Sequence, residues 1–278
     1  MTPHEQLLNI LRPSLSETAL SLIPRSYDIV GDILITDLSS QTDMGKILIG
    51  NAYLDSMQKI RIVASLAGQC EGIYRTKPLQ IIAGRGTLDT IHRENDVDLR
   101  VNPSTVYFSP RMGPERLRIS QLINPGEKIA VLCSGIAPLP LVIAKNSEVD
   151  SIVGIEINPH AHALAKENLI LNKMNHKITL ICGDATNVPG QESLSCDRVV
   201  TMLPTDHNKL LISAIRMLRA GGILHHYAMV HRNNHSDIIA AILAKCAQAG
   251  RTAHNLEYHK CGHCAPRTYR FCFTANIG

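Results

Sequence analysis

What most constrains this chain is its rhythm after Pro110, where short apolar runs alternate with amphipathic segments almost to the C-terminus. The runs EKIAVLCS, SIVGIEI, KITLICGD, DRVVTML and GGILHHYAMV are nearly continuous in apolar residues. The segments PLPLVIAK, PHAHALAKENLILNK and DHNKLLISAIRMLRA between them have helical spacing. Strands that are apolar throughout are buried on both faces, and intervening helices supply the two covering layers of a parallel sheet. The pattern predicts a doubly wound fold, which binds ligands outside the carboxyl ends of its strands. A helix over Glu115–Ile123 precedes the alternation and stops at the breaker Asn124-Pro125-Gly126. A helix over Ser236–Gln248 and two further strands end the chain.

Upstream the rhythm differs. From Tyr27 to Phe108 the runs SYDIVGDILITDL, KIRIVASL, PLQIIAG, LDTIHREN and DVDLRVN are short β-type segments bounded by Gly, Pro, Asp and Asn, with one helix near Lys46–Met57. The expected fold class is therefore α/β: a Rossmann-like C-terminal domain over residues 105–278, preceded by a smaller α+β domain with a mixed sheet over residues 1–104.

Composition narrows the function classes. No stretch reaches the ~18 uncharged apolar residues of a membrane span. The N-terminus MTPHEQLLNILRPSL carries Glu5 early and reads as an amphipathic helix rather than an export signal. A cytoplasmic protein, with no membrane partner, is expected. The 8 cysteines are scattered, mostly in strand-like runs, and read as buried reduced thiols. A net charge of +4 is compatible with a polyanionic partner without demanding one. No Trp and only 3 Phe argue against an aromatic platform for single strands. His259, Cys261, His263 and Cys264 crowd together, but one Cys-x-x-Cys falls short of a structural zinc set, so no metal is expected. His225 and His226 read as residues lining a cleft.

Three strand ends carry cofactor chemistry. The first strand runs into Ser134-Gly135-Ile136-Ala137-Pro138, a small-residue turn that lets a ligand approach backbone N–H groups. The second ends at Glu156, where a carboxylate can accept hydrogen bonds from both ribose hydroxyls; a solvated strand end is the alternative. The third ends at Gly183-Asp184, where a carboxylate can accept from an adenine amino group. Together, in order, they point to an adenosine cofactor.

The segment Val106-Tyr107-Phe108-Ser109-Pro110-Arg111, continued by Gly113-Pro114-Glu115-Arg116-Leu117-Arg118, resembles the linker signature of the archaeal and eukaryotic tRNA guanine-37 N1-methyltransferases. The sister enzymes that add an aminocarboxypropyl group in wyosine synthesis share much of it. Further matches are Tyr27-Asp28-Ile29-Val30-Gly31-Asp32, Glu71-Gly72-Ile73-Tyr74-Arg75, Thr90-Ile91-His92-Arg93-Glu94-Asn95, Ile157-Asn158-Pro159-His160 and Ala265-Pro266-Arg267, in order along the chain. The resemblance implies S-adenosyl-L-methionine as cofactor and tRNA as substrate, with guanosine 37 of the anticodon loop entering between the two domains. It implies Glu115 as the general base at guanine N1 and Arg75 as the cation beside O6. Tyr107, Ser134, Gly135, Glu156, Asp184, Met202 and Pro204 would bind the cofactor, and Arg111 and Arg116 would hold the linker and the tRNA backbone. A plain charge cluster on an exposed helix is the alternative for Glu115, Arg116 and Arg118. A monomer is expected.

This chain departs from the family pattern in three places. Val131 stands where the family has an aspartate, Ala137 where it has a second glycine, and Met202-Leu203-Pro204 where it has Asn-(Leu/Pro)-Pro. The chain also opens near the second domain of the methyltransferases, without a counterpart of their elbow-reading domain, as in archaeal aminocarboxypropyl transferases. Arg111 and Leu203-Pro204 favour methyl transfer. Met202 and the missing first domain favour the sister reaction, and altered pocket residues leave a tRNA-binding relic as the non-enzymatic alternative.

Overall fold

The computed structural model describes residues 2–68, 72–187, 194–203, 208–231 and 234–278. The chain divides into two units, Met1–Arg93 with Asp98–Pro110, and Glu94–Val97 with Arg111–Gly278.

The first unit opens with α1 (Pro3–Leu11) and α2 (Glu17–Ser21), followed by β1 (Asp28–Val30), β2 (Ile33–Thr36), α3 (Asp43–Ser56), β3 (Ile62–Leu66) and β4 (Leu79–Gly84). Strands β5 (Thr90–Glu94) and β6 (Val97–Val101) pair as a separate ribbon. Thr2 and Glu5 form a reciprocal capping box that fixes the start of α1. Helix α3 begins three residues before the sequence reading because Thr42 caps it, accepting from the Gly45 N–H.

The sheet runs β1-β2-β3-β4, with β2 and β3 parallel and the outer pairs antiparallel, a mixed sheet as expected. Its period of two sorts the core. Leu34 and Val63 pack with Leu7, Leu11, Ile49 and Tyr53 of the helices, while Ile33, Ile62 and Ala64 meet Leu79 and Leu88 on the other face. At Gly31 φ is +58° and a Cβ would stand 2.1 Å from Thr90 Oγ1, so only glycine turns this hairpin.

The second unit contains α4 (Gly113–Ser120), β7 (Lys128–Leu132), α5 (Pro138–Asn146), β8 (Ser151–Glu156), α6 (Pro159–Leu171), β9 (Ile178–Cys182), β10 (Cys196–Thr201), α7 (Asn208–Met217), β11 (Leu218–His231), α8 (His235–Gln248), β12 (Ala253–Ala265) and β13 (Thr268–Ile277). The seven strands lie in the order β12-β13-β11-β10-β7-β8-β9, parallel from β9 through β11, with β13 antiparallel to both of its neighbours. The order reverses between β7 and β10, which is where a doubly wound sheet opens its ligand crevice.

Helix α7 ends at Met217, short of the Ala220 suggested by spacing. Leu218 already pairs with Cys196 as β11 begins, and the register then shifts through a bulge containing Gly221 at φ +73°. One face of the sheet is apolar: Ala130, Leu132, Val199, Leu224, Ala228, Phe271 and Phe273 pack with Leu211, Ile215 and Ile242 of α7 and α8.

Two expectations need correction. Of the seven described cysteines, all free, only Cys196, Cys246 and Cys272 are buried; Cys133, Cys261 and Cys264 are half-buried and Cys182 is exposed. Cys70 lies outside the described residues. His225 and His226 line no cleft. Both are 0% exposed inside β11, because that strand is central and covered on both faces. Among the described residues no helix is long and apolar enough to cross a membrane.

Candidate active site

The strand order sets the carboxyl ends of β10, β7, β8 and β9 side by side, gathering Met202, Ser134, Gly135, Glu156 and Asp184 along one edge. Backbone bonds continue the pairing past the strands: Met202 N–H to Leu132 O (3.0 Å), Ser134 N–H to Ile155 O (2.9 Å) and Gly183 N–H to Glu156 O (2.9 Å). The turn after β7 is built from left-handed residues, Cys133 (φ +59°), Gly135 (+58°) and Ala137 (+64°). Ala137 thus holds a conformation that favours glycine. Asn168, fully buried on α6, donates to Ile136 O at 3.1 Å and pins the turn from behind.

Glu156 is not a solvated strand end. Its Oε2 accepts from Gly135 N–H and its Oε1 from Asn158 N–H, both at 2.8 Å. Burial pushes its carboxyl above the usual range, with these backbone bonds pulling the other way. A carboxylate has about four acceptor positions, so the backbone donors Gly135, Asn158 and Ile157 still leave capacity for a ligand hydroxyl. Asp184 is exposed, and its Oδ1 accepts from Thr186 N–H and Oγ1, both at 2.8 Å. The Ser134 hydroxyl is buried without a hydrogen-bond partner among the described residues and lies 3.1 Å from where a Cβ on Gly154 would stand, so it is packed toward β8. Val131 is fully buried between Val200 and Gly154, where an aspartate would need a partner of its own. Met202 is half-buried; Pro204 lies outside the described residues.

The opposite face of the sheet is polar. Period two places Arg198 of β10, His225 and Tyr227 of β11, and Cys272 and Thr274 of β13 together, and β11 and β13 pair His225 with Thr274 and Tyr227 with Cys272. Arg198 forks onto Glu127 (2.8 and 2.9 Å) and donates to Leu122 O (2.8 Å). Its Nη1 lies 2.6 Å from His225 Nε2, so that nitrogen is the acceptor and Nδ1 carries the proton toward Thr274 Oγ1 at 3.0 Å. Burial, then the Arg198 and Arg118 charges, holds His225 well below its ordinary range, and it stays neutral.

Helix α4 meets this face. Glu115, in its first turn, is 5% exposed. Tyr227 O–H donates to Oε1 at 2.5 Å, and Arg118 forks onto the carboxylate with Nη2 to Oε1 at 2.7 Å and Nε to Oε2 at 2.8 Å. Arg116 is 3% exposed and forks onto Glu94, itself nearly closed to water. Glu115 and Arg116 therefore do not form an exposed charge cluster, and Arg116 does not present its guanidinium to a surface partner. It ties α4 to Glu94, because spacings of three and four put both residues on the buried face of the helix with Ile119 and Ser120. Arg111, in the 3₁₀ turn Pro110–Met112, is exposed.

In the first unit, Arg75 is half-buried in a turn at φ +54°, beside Ile73 (72% exposed) and Tyr74. Tyr107 is about half exposed. His259, Cys261, His263 and Cys264 follow one another along β12, and among the described residues no group of three or more His, Cys, Asp or Glu could hold a metal ion. The sequence reading missed Tyr227 and the Arg198–Glu127 pair. Their signal was a tyrosine and an arginine inside otherwise apolar strands.

Comparison with known proteins gives this architecture a family. Residues 90–252 match the TRM5/TYW2 methyltransferase domain, and residues 7–87 the TYW2 N-terminal domain. The tRNA (guanine(37)-N(1))-methyltransferase Trm5b of Pyrococcus abyssi is 32% identical over 205 residues, covering 74% of this chain and 60% of that protein. Its crystal structure matches with a TM-score of 0.86 at 28% identity, covering 95% of this chain and 78% of that one. Methanocaldococcus jannaschii Trm5 in complex with adenosine matches at 28% identity with a TM-score of 0.80, covering 97% and 77%. The tRNA(Phe) (4-demethylwyosine(37)-C(7)) aminocarboxypropyltransferase of Pyrococcus horikoshii is 24% identical over 225 residues, covering 81% of this chain and 79% of that protein. The chain spans 60% of the length of the first curated relatives it matches.

Proposed function

The chain belongs to the TRM5/TYW2 methyltransferase family, and from that premise we propose that it is an S-adenosylmethionine-dependent tRNA methyltransferase acting on N1 of guanosine 37 in the anticodon loop. It works in the cytoplasm as a monomer. Residues 105–278 form the catalytic domain and residues 1–104 the domain that holds the RNA. The observation that carries this reading is Glu115, a buried carboxylate on α4 with donors from β11 and from its own helix.

The cofactor site fits an adenosine group. Glu156 retains acceptor capacity for a ribose hydroxyl, Asp184 offers an exposed carboxylate to the adenine amino group, and the left-handed turn at Gly135 keeps side chains out of the approach. Ser134 backs this turn, and the family resemblance assigns Met202, Pro204 and Tyr107 to cofactor binding as well. Bound S-adenosylmethionine supplies an electrophilic methyl carbon on sulfur. Glu115 takes the N1 proton as N1 becomes the nucleophile. The Arg75 guanidinium balances charge developing on O6, and exposed Arg111 meets the RNA backbone. Arg116 supports Glu115 by holding α4 in place.

A second reading, aminocarboxypropyl transfer at the same tRNA position, is favoured by the match of residues 7–87 to the TYW2 N-terminal domain. Nucleoside mass spectrometry separates the two, using tRNA transcript and tRNA carrying 4-demethylwyosine, each incubated with the protein and S-adenosylmethionine. A methyl adduct on guanosine 37 that disappears in Glu115→Gln supports the first reading. An aminocarboxypropyl adduct establishes the second, and no adduct on either RNA rejects both in favour of a tRNA-binding relic.

A further inference from the structure

The donors around Glu115 differ in how freely they can move. Tyr227 is 1% exposed, in the middle of a central strand, whereas the Arg118 side chain is 27% exposed. Oε1 accepts two bonds, from Tyr227 and from Arg118 Nη2, while Oε2 accepts one, from Arg118 Nε. The Arg118 fork occupies both oxygens, so the guanine N1 proton can reach Oε2 only when Arg118 moves aside, and the donor left in place is Tyr227.

We propose that Tyr227 is a positioning residue for the Glu115 base, holding Oε1 from the sheet so that Oε2 is the oxygen presented to the guanine N1 proton, with Arg118 as the exchangeable counter-ion. This rests on the reading of Glu115 as general base. The thiols that act on Glu115 and Tyr227 are neutral: Cys272 of β13, pushed up to about 11 by burial and then by Glu115, and Cys261 of β12, also pushed up by burial; His225, on the same face of β11, is held low by burial and then by Arg198 and Arg118. Burial, then the neighbouring Cys272 and Glu115, holds the Tyr227 phenol well above its ordinary range. It therefore remains a donor throughout the working pH and carries no proton away.

Losing the O–H removes the donor that holds Oε1 while the phenyl ring still fills the same space. In Tyr227→Phe, single-turnover methyl transfer to tRNA transcript should therefore fall about ten-fold, the scale of one lost hydrogen bond to a charged group. KM for tRNA and for S-adenosylmethionine should change less than about two-fold. Tyr227→Phe added to Glu115→Gln should cost nothing beyond Glu115→Gln alone, because a positioning residue acts only through the base. An unchanged rate in Tyr227→Phe, or an additive loss in the double variant, would overturn the proposal and leave Tyr227 as packing. Full activity in Glu115→Gln would instead sink the base assignment. Should the phenylalanine variant fail to fold, or no transfer be seen, the Glu115 ¹³C carboxyl signal, identified by its loss in Glu115→Gln, should move at fixed pH when 3-fluorotyrosine replaces Tyr227, and an unmoved signal would overturn the proposal.

Discussion

Arg116→Met separates a buried strut from an RNA contact. The Arg116 and Glu94 side chains are 3% and 8% exposed and paired as a fork, and a Cβ on Gly113 would stand 3.3 Å from Glu94 Oε2, so the space around the pair is tight. Removing the guanidinium strips that fork from a carboxylate almost closed to water, which costs about 3 kcal/mol. For a unit of this size each kcal/mol moves the melting point by about 2–4 °C, so a fall of about 10 °C is expected. Glu94→Gln combined with Arg116→Met should regain much of it, because both charges then leave together. A phosphate contact would behave differently: its loss lowers the slope of log affinity against log salt by about 0.7–0.9 and leaves the melting point alone. The assays are thermal unfolding by circular dichroism and tRNA filter binding across a salt series. The buried pair requires a large melting shift with an unchanged slope in Arg116→Met, and the RNA contact proposed for Arg111 calls for a reduced slope in Arg111→Ala. An unchanged melting point with a reduced slope in Arg116→Met would refute the burial argument.

Three further outcomes follow from the geometry. Burial raises the Glu127 carboxyl, but its bonds to Arg198 and Asn124 outweigh this and hold it below the usual range, so its stabilisation is complete above the unfolded value of about 4.3 and is lost as pH falls through the lower folded value. Glu127→Gln should therefore cost about 3 kcal/mol near neutrality in urea unfolding, with the gap from wild type closing below about pH 4; a gap independent of pH would count against the ion pair. Ala137→Gly relieves about 1–2 kcal/mol of left-handed strain, but adds about 0.5–1 of chain entropy and removes a buried methyl worth about 0.8, so the melting point should barely move. A loss of several degrees would show that the methyl is a packing element. Glu156→Gln should weaken S-adenosylmethionine binding about ten-fold or more by calorimetry. Because burial raises this carboxyl, wild-type affinity should also fall as pH drops through the raised value, a dependence that the glutamine variant should lack.

The alternating rhythm made the second unit legible, since near-continuous apolar strands leave few architectures open, and the strand-end positions of Glu156 and Asp184 follow from that rhythm. The sign of α4's charged face was not legible. Residue types alone left an exposed charge cluster open for Glu115 and Arg116, beside the roles the resemblance implies, because burying a charge is ordinarily expensive. Yet Met112, Glu115, Arg116 and Ile119 recur at the spacing of one helix face, and the structure buries that face with donors for Glu115 and an acceptor carboxylate for Arg116. Nor did the sequence reveal that Ala137 adopts the conformation expected of glycine, which depends on the turn it completes rather than on its neighbours in sequence.

Parity along β11 carries more than it seemed to. With Leu224, Ala228 and Val230 in the apolar cluster, His225 and Tyr227 must share the opposite face, and antiparallel pairing then sets Thr274 and Cys272 beside them. What parity cannot say is which helix covers that face. The answer lies in long-range bonds: Tyr227 reaches Glu115 near the start of α4 across 112 positions, and Arg198 reaches Leu122, just beyond its end, across 76. A helix tied at both ends to a seven-stranded sheet has little freedom to turn about its axis. The orientation of Glu115 is thus set by the sheet, while Arg118, partly exposed and on the helix itself, remains the partner that can exchange.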